Sequence, residues 1–255
     1  MRVLVLLFFA IFALAGELKI ASFNTENLFD AVENGSEYKD FKNGRWSKFE
    51  YEKKLKSTSN LIKQIDADII ALQEIENENV LKDLAKISGY EYYKFATLDA
   101  KSPFGLGFLS KIAIKDSQKF IVKDVKTRPI LSIDVEFDGK IMKLFCVHFP
   151  AKKNGIKKQK TAADALKSAI FQQKNTVVLG DFNSEFGYKF LLKDFSTFKN
   201  AWDLVAKFDR KSHVSGRAID HIIYSPDLVV KSDSFKTKKS SSSDHLSLEA
   251  IIMQK

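Results

Sequence analysis

Polar side chains suited to phosphate chemistry stand at the ends of apolar runs along this chain. Asn24 ends LKIASF, Glu74 ends DIIALQ, His148 closes IMKLFCV, Asp181 and Asn183 close VVLG, and Asp244-His245 open LSLEAII. A carboxylate or imidazole at the end of a buried strand is held rigidly and shares a rim with its neighbours. One such residue alone reads as an ordinary polar strand end; the recurrence points to a site. Glu74 is a hard oxygen donor of the kind Mg²⁺ takes through one or two carboxylates plus substrate phosphate. Asn24 offers an oxygen to the cation or a donor to phosphate. Asp181 and Asn183 are two apart, so an extended backbone points both side chains the same way.

Several chemistries are excluded by what is missing. The set contains no cysteine and no HExxH, which removes zinc of that kind. There is no GxSxG elbow, no GxxxxGK[ST] loop and no GxGxxG, so the usual serine hydrolase, nucleotide triphosphate and dinucleotide sites are unsupported.

Eight strand-like runs could carry these residues: 18–23, 68–73, 106–110, 130–137, 141–149, 176–182, 219–225 and 246–252. Asp138-Gly139 between two of them marks a hairpin. Helical spacing appears at 49–65, 77–87 and 155–171. Mixed strands with interspersed helices give a layered α/β or α+β domain. No repeat or linker interrupts residues 16–255, which read as one domain. Cys146, the single cysteine, sits in the apolar run KLFCVHF as a core residue.

Residues 1–15 carry Arg2, an apolar run from Val3 to Leu14 and the small-x-small triplet Ala13-Leu14-Ala15. That is the pattern of a cleaved signal peptide, so a secreted or periplasmic protein is expected, with no integral membrane segment after cleavage. The formal charge is +9. Without Arg2, 40 basic residues face 32 acidic ones, leaving +8. A net positive charge favours polyanionic partners.

Seven blocks occur in order: FNTENLFD (23–30), ALQEIE (71–76), GFLSK (107–111), VHFPAK (147–152), VLGDFNSE (178–185), IDHIIYS (219–225) and SSDHLSLEA (242–250). They resemble the endonuclease/exonuclease/phosphatase superfamily, of the deoxyribonuclease I-like type. The resemblance implies a four-layer αββα sandwich of two mixed β-sheets. It implies that Glu74 is the principal metal ligand and that Asn24 supports metal or phosphate. Asp181 would orient or deprotonate the attacking water, and Asn183 would hold it or the phosphate. His245 would face the scissile phosphate, with Asp220 accepting its other N–H. Asp244 would complete the metal side, and His148 would be the second imidazole. Thr127-Arg128-Pro129 resembles the family's segment for a phosphate-contacting arginine. A glutamate ordinarily pairs with the first histidine; no clear counterpart occurs here, and Asp99 is only the nearest acid.

The expectation is therefore a Mg²⁺-dependent nuclease acting as a monomer, with Mn²⁺ or Ca²⁺ as alternative ions and DNA favoured over RNA. Lys152, Lys153, Lys157, Lys158 and Lys160, with Lys238-Lys239, are expected to flank the rim. The alternatives are a lipid phosphodiesterase, with Phe104 or Phe186–Tyr188 entering a membrane, an inositol phosphate phosphatase, and a silent DNA-binding relative. His221, next to Asp220, should point to the opposite face as a structural residue. His213, in DRKSHVSGR, reads as a surface residue.

Overall fold

The computed structural model describes residues 16–42, 44–185, 195 and 197–255. The expected signal segment and Phe186–Tyr188 lie outside them.

Two mixed sheets form the centre. The first runs β11 (Leu228–Val230), β13 (Leu246–Gln254), β1 (Leu18–Leu28), β2 (Ile69–Ile75), β4 (Gly105–Ser110), β3 (Tyr92–Ala96), with β12 (Lys236–Lys239) also on β13. The second runs β5 (Ile114–Phe120), β6 (Ile130–Phe137), β7 (Lys140–His148), β8 (Thr176–Asp181), β10 (Asp220–Tyr224), β9 (Lys199–Asn200). Each sheet has one parallel pair, β1 with β2 and β7 with β8.

Alternation along the strands sorts the apolar residues into three cores. Ile20, Ile69, Phe108, Leu144, Leu179 and Leu248 fill the space between the sheets. Phe23, Ile70 and Leu72 face the other way, against Tyr51, Leu55 and Ile62 of α1 (Lys48–Ile65) and Leu81 and Leu84 of α2 (Glu78–Ser88). Phe145, Val178 and Ile223 meet Ala162, Ala163 and Leu166 of α3 (Ile156–Ala169) on the far side. The layers are thus helix, sheet, sheet, helix, the αββα sandwich. Fully burying side chains of this size stabilises by roughly 1.5–3 kcal/mol each.

Local chemistry fixes the helix ends. Ser47 and Glu50 form a reciprocal capping box on α1, and Asn77 caps α2, which ends at Gly89 in the left-handed region. At the expected hairpin, Asp138 and Gly139 have φ of 49° and 70°, as a tight primed turn requires.

Candidate active site

Strand register assembles the site. On the second sheet His148 pairs with Asp181 and Asp181 with Asp220, so three polar residues stand side by side on adjacent strands. All three continue the row whose earlier members, Cys146, Leu179 and Ile222, fill the space between the sheets. On the first sheet Asn24 continues the row of Leu18 and Ile20 and enters the same space from the opposite side.

Glu74 breaks the alternation. Ile70 and Leu72 face the helices, so parity alone would send Glu74 there too. Instead its φ is 63° and both neighbouring ladders shift register around it. A bulge with a left-handed non-glycine residue re-aims the carboxylate toward Asn24, whose Nδ2 donates to Glu74 Oε1 at 3.2 Å. Gln73 keeps the inward parity and is buried against Ser22 and Cys146.

Asp181 is the hub. Its Oδ1 accepts the Asn183 backbone N–H at 2.6 Å, and its Oδ2 accepts the Asn183 and Asn24 amide nitrogens at 3.0 and 3.2 Å. His148 Nε2 stands 3.3 Å from the same Oδ2, and His245 Nε2 is 4.0 Å away. Asn183 reaches Asp181 through a left-handed turn, φ 49°, because β8 ends at Asp181; the extended spacing expected from sequence does not apply. Its Nδ2 also donates to the Phe149 carbonyl, so in this form it holds the carboxylate. Burial and the neighbouring Asp220 raise the Asp181 carboxyl to about 8.

His245 is tied by Nδ1 to Asp220 Oδ2 at 2.9 Å. Ser212 Oγ donates to that carboxylate oxygen at 2.6 Å and itself accepts the N–H groups of Ile219 and Asp220. Burial opposes a charge on His245, but Asp220, Asp181 and Asp244 outweigh it and raise the imidazole to about 10. His148 goes the other way. Burial, then Arg128 and His245, hold it well below the ordinary histidine range, so it is neutral. Its Nδ1 is buried and, among the described residues, has no hydrogen-bond partner. Asp99 does not supply one, being bonded within its own turn to Lys101 and Ser102. The ring of His148 lies against Phe104, centroids 5.8 Å apart and nearly parallel, and Arg128 sits 4.6 Å over that same Phe104 ring.

Asn24 uses its oxygen to accept the Glu26 backbone N–H at 2.9 Å, which fixes its nitrogen toward the carboxylates. It therefore bridges Glu74 and Asp181 as a donor. Asp244 Oδ1 is 3.7 Å from His245 Nε2.

Four neighbours were not singled out from sequence. His213, expected on the surface, is half-buried at the rim of the site. Its Nε2 lies 3.1 Å from Asp244 Oδ2, its ring meets His245 edge-on, and the two histidines form a β-bridge. The Ser215 backbone N–H donates to its Nδ1, so Nε2 carries the proton given to Asp244. Glu26 accepts the Asp244 backbone N–H, and Lys54 donates to the Glu26 carbonyl. Asn27 gives its N–H to Glu74 Oε2 at 2.9 Å and keeps a buried side-chain oxygen with no hydrogen-bond partner among the described residues. The left-handed φ values of Glu26 and Asn27, 53° and 58°, place them here. The run ENLFD held a signal only in its acids and its one amide, and DRKSHVSGR held none.

Two other expectations fall away from the site or agree with a bland role. His221 points to the α3 side, its Nε2 donating to the Ser184 carbonyl at 2.8 Å, and burial lowers it to about 4. Lys238 does not line the rim; its amine donates to the Gln64 carbonyl near the end of α1. Lys158, of the lysines after His148, lines a cleft with Arg128.

The donor set suits a hard cation. Glu74 and Asp244 offer carboxylates, and Asn27, whose backbone N–H bonds Glu74, has a buried side-chain oxygen without a partner among the described residues; all three are hard oxygen donors of the kind Mg²⁺ prefers. His213, Asp244 and His245 bring three polar atoms within 4.8 Å of one another, but with His213 Nε2 and His245 holding protons only Asp244 is free to bind a cation.

The family model described as Endonuclease/Exonuclease/phosphatase family matches residues 19–224. The chain belongs to this family. Its fold is shared with the human Nocturnin catalytic domain solved with a bound sulfate anion (TM-score 0.72, 18% identity, 94% of this chain and 95% of that one). It is also shared with an endonuclease/exonuclease/phosphatase from Bacteroides vulgatus (0.69, 17%, 94% and 100%) and with TDP2 from Caenorhabditis elegans (0.67, 15%, 93% and 74%). No curated protein matches the sequence.

Proposed function

We propose that the chain is a secreted, divalent-metal-dependent phosphodiesterase that hydrolyses nucleic acid, DNA before RNA. The observation that carries this reading is the meeting of Glu74, Asp181, His148 and His245, brought by both sheets to one point with a cationic residue, Arg128, beside it. Phosphodiester hydrolysis needs an in-line water, neutralised non-bridging oxygens and a supported leaving oxygen.

Each requirement has a residue. Glu74, with Asp244 and Asn27, would hold Mg²⁺, which supplies charge neutralisation when bound. His245, kept protonated by Asp220, donates to a non-bridging oxygen where negative charge grows. Asp181 positions the attacking water and, once ionised, takes its proton; Asn24 and Asn183 fix its orientation. His148, neutral at Nε2, is placed to pass a proton to or from Asp181. Arg128 brings positive charge beside Glu74 and Asp181, where the phosphate backbone of the substrate enters. The signal-like residues 1–15 support secretion, and the charge of +9 supports a polyanionic substrate.

A second reading, a lipid phosphodiesterase, has one observation of its own. Val214 is 68% exposed beside the rim residue His213, and Phe208 on the same stretch is 89% exposed. Incubation of the purified mature protein with plasmid DNA, RNA, sphingomyelin and an inositol phosphate, each with Mg²⁺ or EDTA, decides between them. Mg²⁺-dependent DNA nicking is the expected result. Cleavage of sphingomyelin without nicking would overturn the substrate and leave the site intact.

A further inference from the structure

A cleft of about 250 Å³ opens on the Arg128 side of the site, lined by Tyr38, Phe104, Lys126, Arg128, Asn154 and Lys158 among others. Phe104 forms part of its wall and packs on His148, so the cleft begins one side chain away from the reacting centre. Three of its lining residues are cationic and none is acidic. Among the described residues, the Arg128 guanidinium has no hydrogen-bond or ion-pair partner although it is half-buried over the Phe104 ring. Five N–H donors without an acceptor, in a partly desolvated place, call for an anion. Tyr38 stands edge-on to Phe104 at 5.7 Å and remains 43% exposed, an aromatic surface open to the cleft.

The opposite flank differs. The cleft beside Asp244 is lined by Lys53 and Lys54 but also by Glu26, Glu50 and Asp244, and its aromatics Phe41 and Trp46 are packed on one another. Mixed charge and an occupied aromatic pair give a phosphate no advantage there. The polarity of the groove therefore places the flanking nucleotide on the Arg128 side.

We propose that the cleft between Tyr38, Phe104 and Arg128 is a subsite for one unpaired nucleotide next to the scissile phosphate, which makes single-stranded nucleic acid the preferred substrate. The proposal rests on the phosphodiesterase reading above and sharpens its substrate. Arg128, with Lys126 and Lys158, takes the flanking phosphate, and the Tyr38 ring takes the face of the base. The volume is below the roughly 300–1,000 Å³ of ordinary ligand pockets, enough for part of one nucleotide and too small for a base pair. A base offers its face to an aromatic side chain only when it is unstacked, as in single strands.

The test compares three substrates: a single-stranded oligonucleotide, the same sequence as a duplex, and bis(p-nitrophenyl) phosphate, which has no base. Wild type should cleave the single strand at least tenfold more efficiently than the duplex. Tyr38→Ala should lower kcat/KM for the single strand about tenfold more than for the small diester, and Tyr38→Phe should restore it. Lys158→Ala, at an exposed position that leaves folding alone, should raise KM for the oligonucleotide several-fold. Equal rates on single strand and duplex, or a Tyr38→Ala loss equal on all substrates, overturns the subsite and leaves the phosphodiesterase reading standing. Failure to cleave any of the three overturns that reading itself.

Discussion

Asp220 accepts the Nδ1–H of His245 at 2.9 Å, and Ser212 in turn donates to the same carboxylate oxygen at 2.6 Å. The pair sets the charge of the imidazole. With Asp220 present, His245 stays protonated until pH passes about 10; the charged form that stabilises the phosphate is lost only above that point. Asp220→Asn keeps the shape and removes the charge, so burial should pull His245 downward. The alkaline limb of the pH–rate profile should move to lower pH, and kcat at pH 8 should fall roughly 10²-fold or more. An unchanged limb would show that His245 does not act as the protonated group.

Gly180 is predicted to admit no other residue. Its φ is 145°, and a Cβ there would lie 2.0 Å from the Val147 carbonyl oxygen, a backbone atom of the neighbouring strand. Gly180→Ala should therefore separate β7 from β8 beside Asp181 and cost about 3 kcal/mol or more. Urea denaturation measures it; a midpoint equal to wild type would contradict the close approach.

His213 positions Asp244 by donating from Nε2. His213→Ala should weaken the response to Mg²⁺ roughly 10–100-fold, as loss of such supporting partners does, with a smaller change in kcat at saturating metal. Titration of the rate with Mg²⁺ separates the two. A parallel fall at all metal concentrations would instead assign His213 to the chemical step.

The sandwich could be read from the chain because its central strands are long apolar runs bounded by polar ends. Strands β5 and β12 could not. IKDSQKF and KTKK are largely exposed pieces that pair with the next strand along the chain, Ile130–Phe137 and Leu246–Gln254, and carry no apolar alternation. Loss of local signal at edges follows from their having only one covered side.

The site shows the same division. Asp181 and His148 follow from residue type at the end of an apolar strand, whereas Asp220 follows only from the family resemblance. Glu74 is legible as an acid at a strand end, but parity gives it the wrong face, and only its bulge corrects the direction. His213 and Lys54 lie in polar stretches indistinguishable from surface; what recruits them is a bridge to His245 and a contact with the Glu26 carbonyl, both long-range.

Glu74 accepts donors from Asn24 and Asn27 and faces His148, so metal-dependent hydrolysis at this site stands or falls with it. Phosphodiester turnover by the purified mature protein, with Mg²⁺ and with EDTA, compared with Glu74→Ala under the same conditions, tests it most directly. The prediction is turnover by wild type with Mg²⁺, its loss in EDTA with recovery on adding the ion back, and a fall of at least about 10²-fold in a folded Glu74→Ala. Full activity in EDTA, or in Glu74→Ala, would contradict metal-dependent hydrolysis at this site.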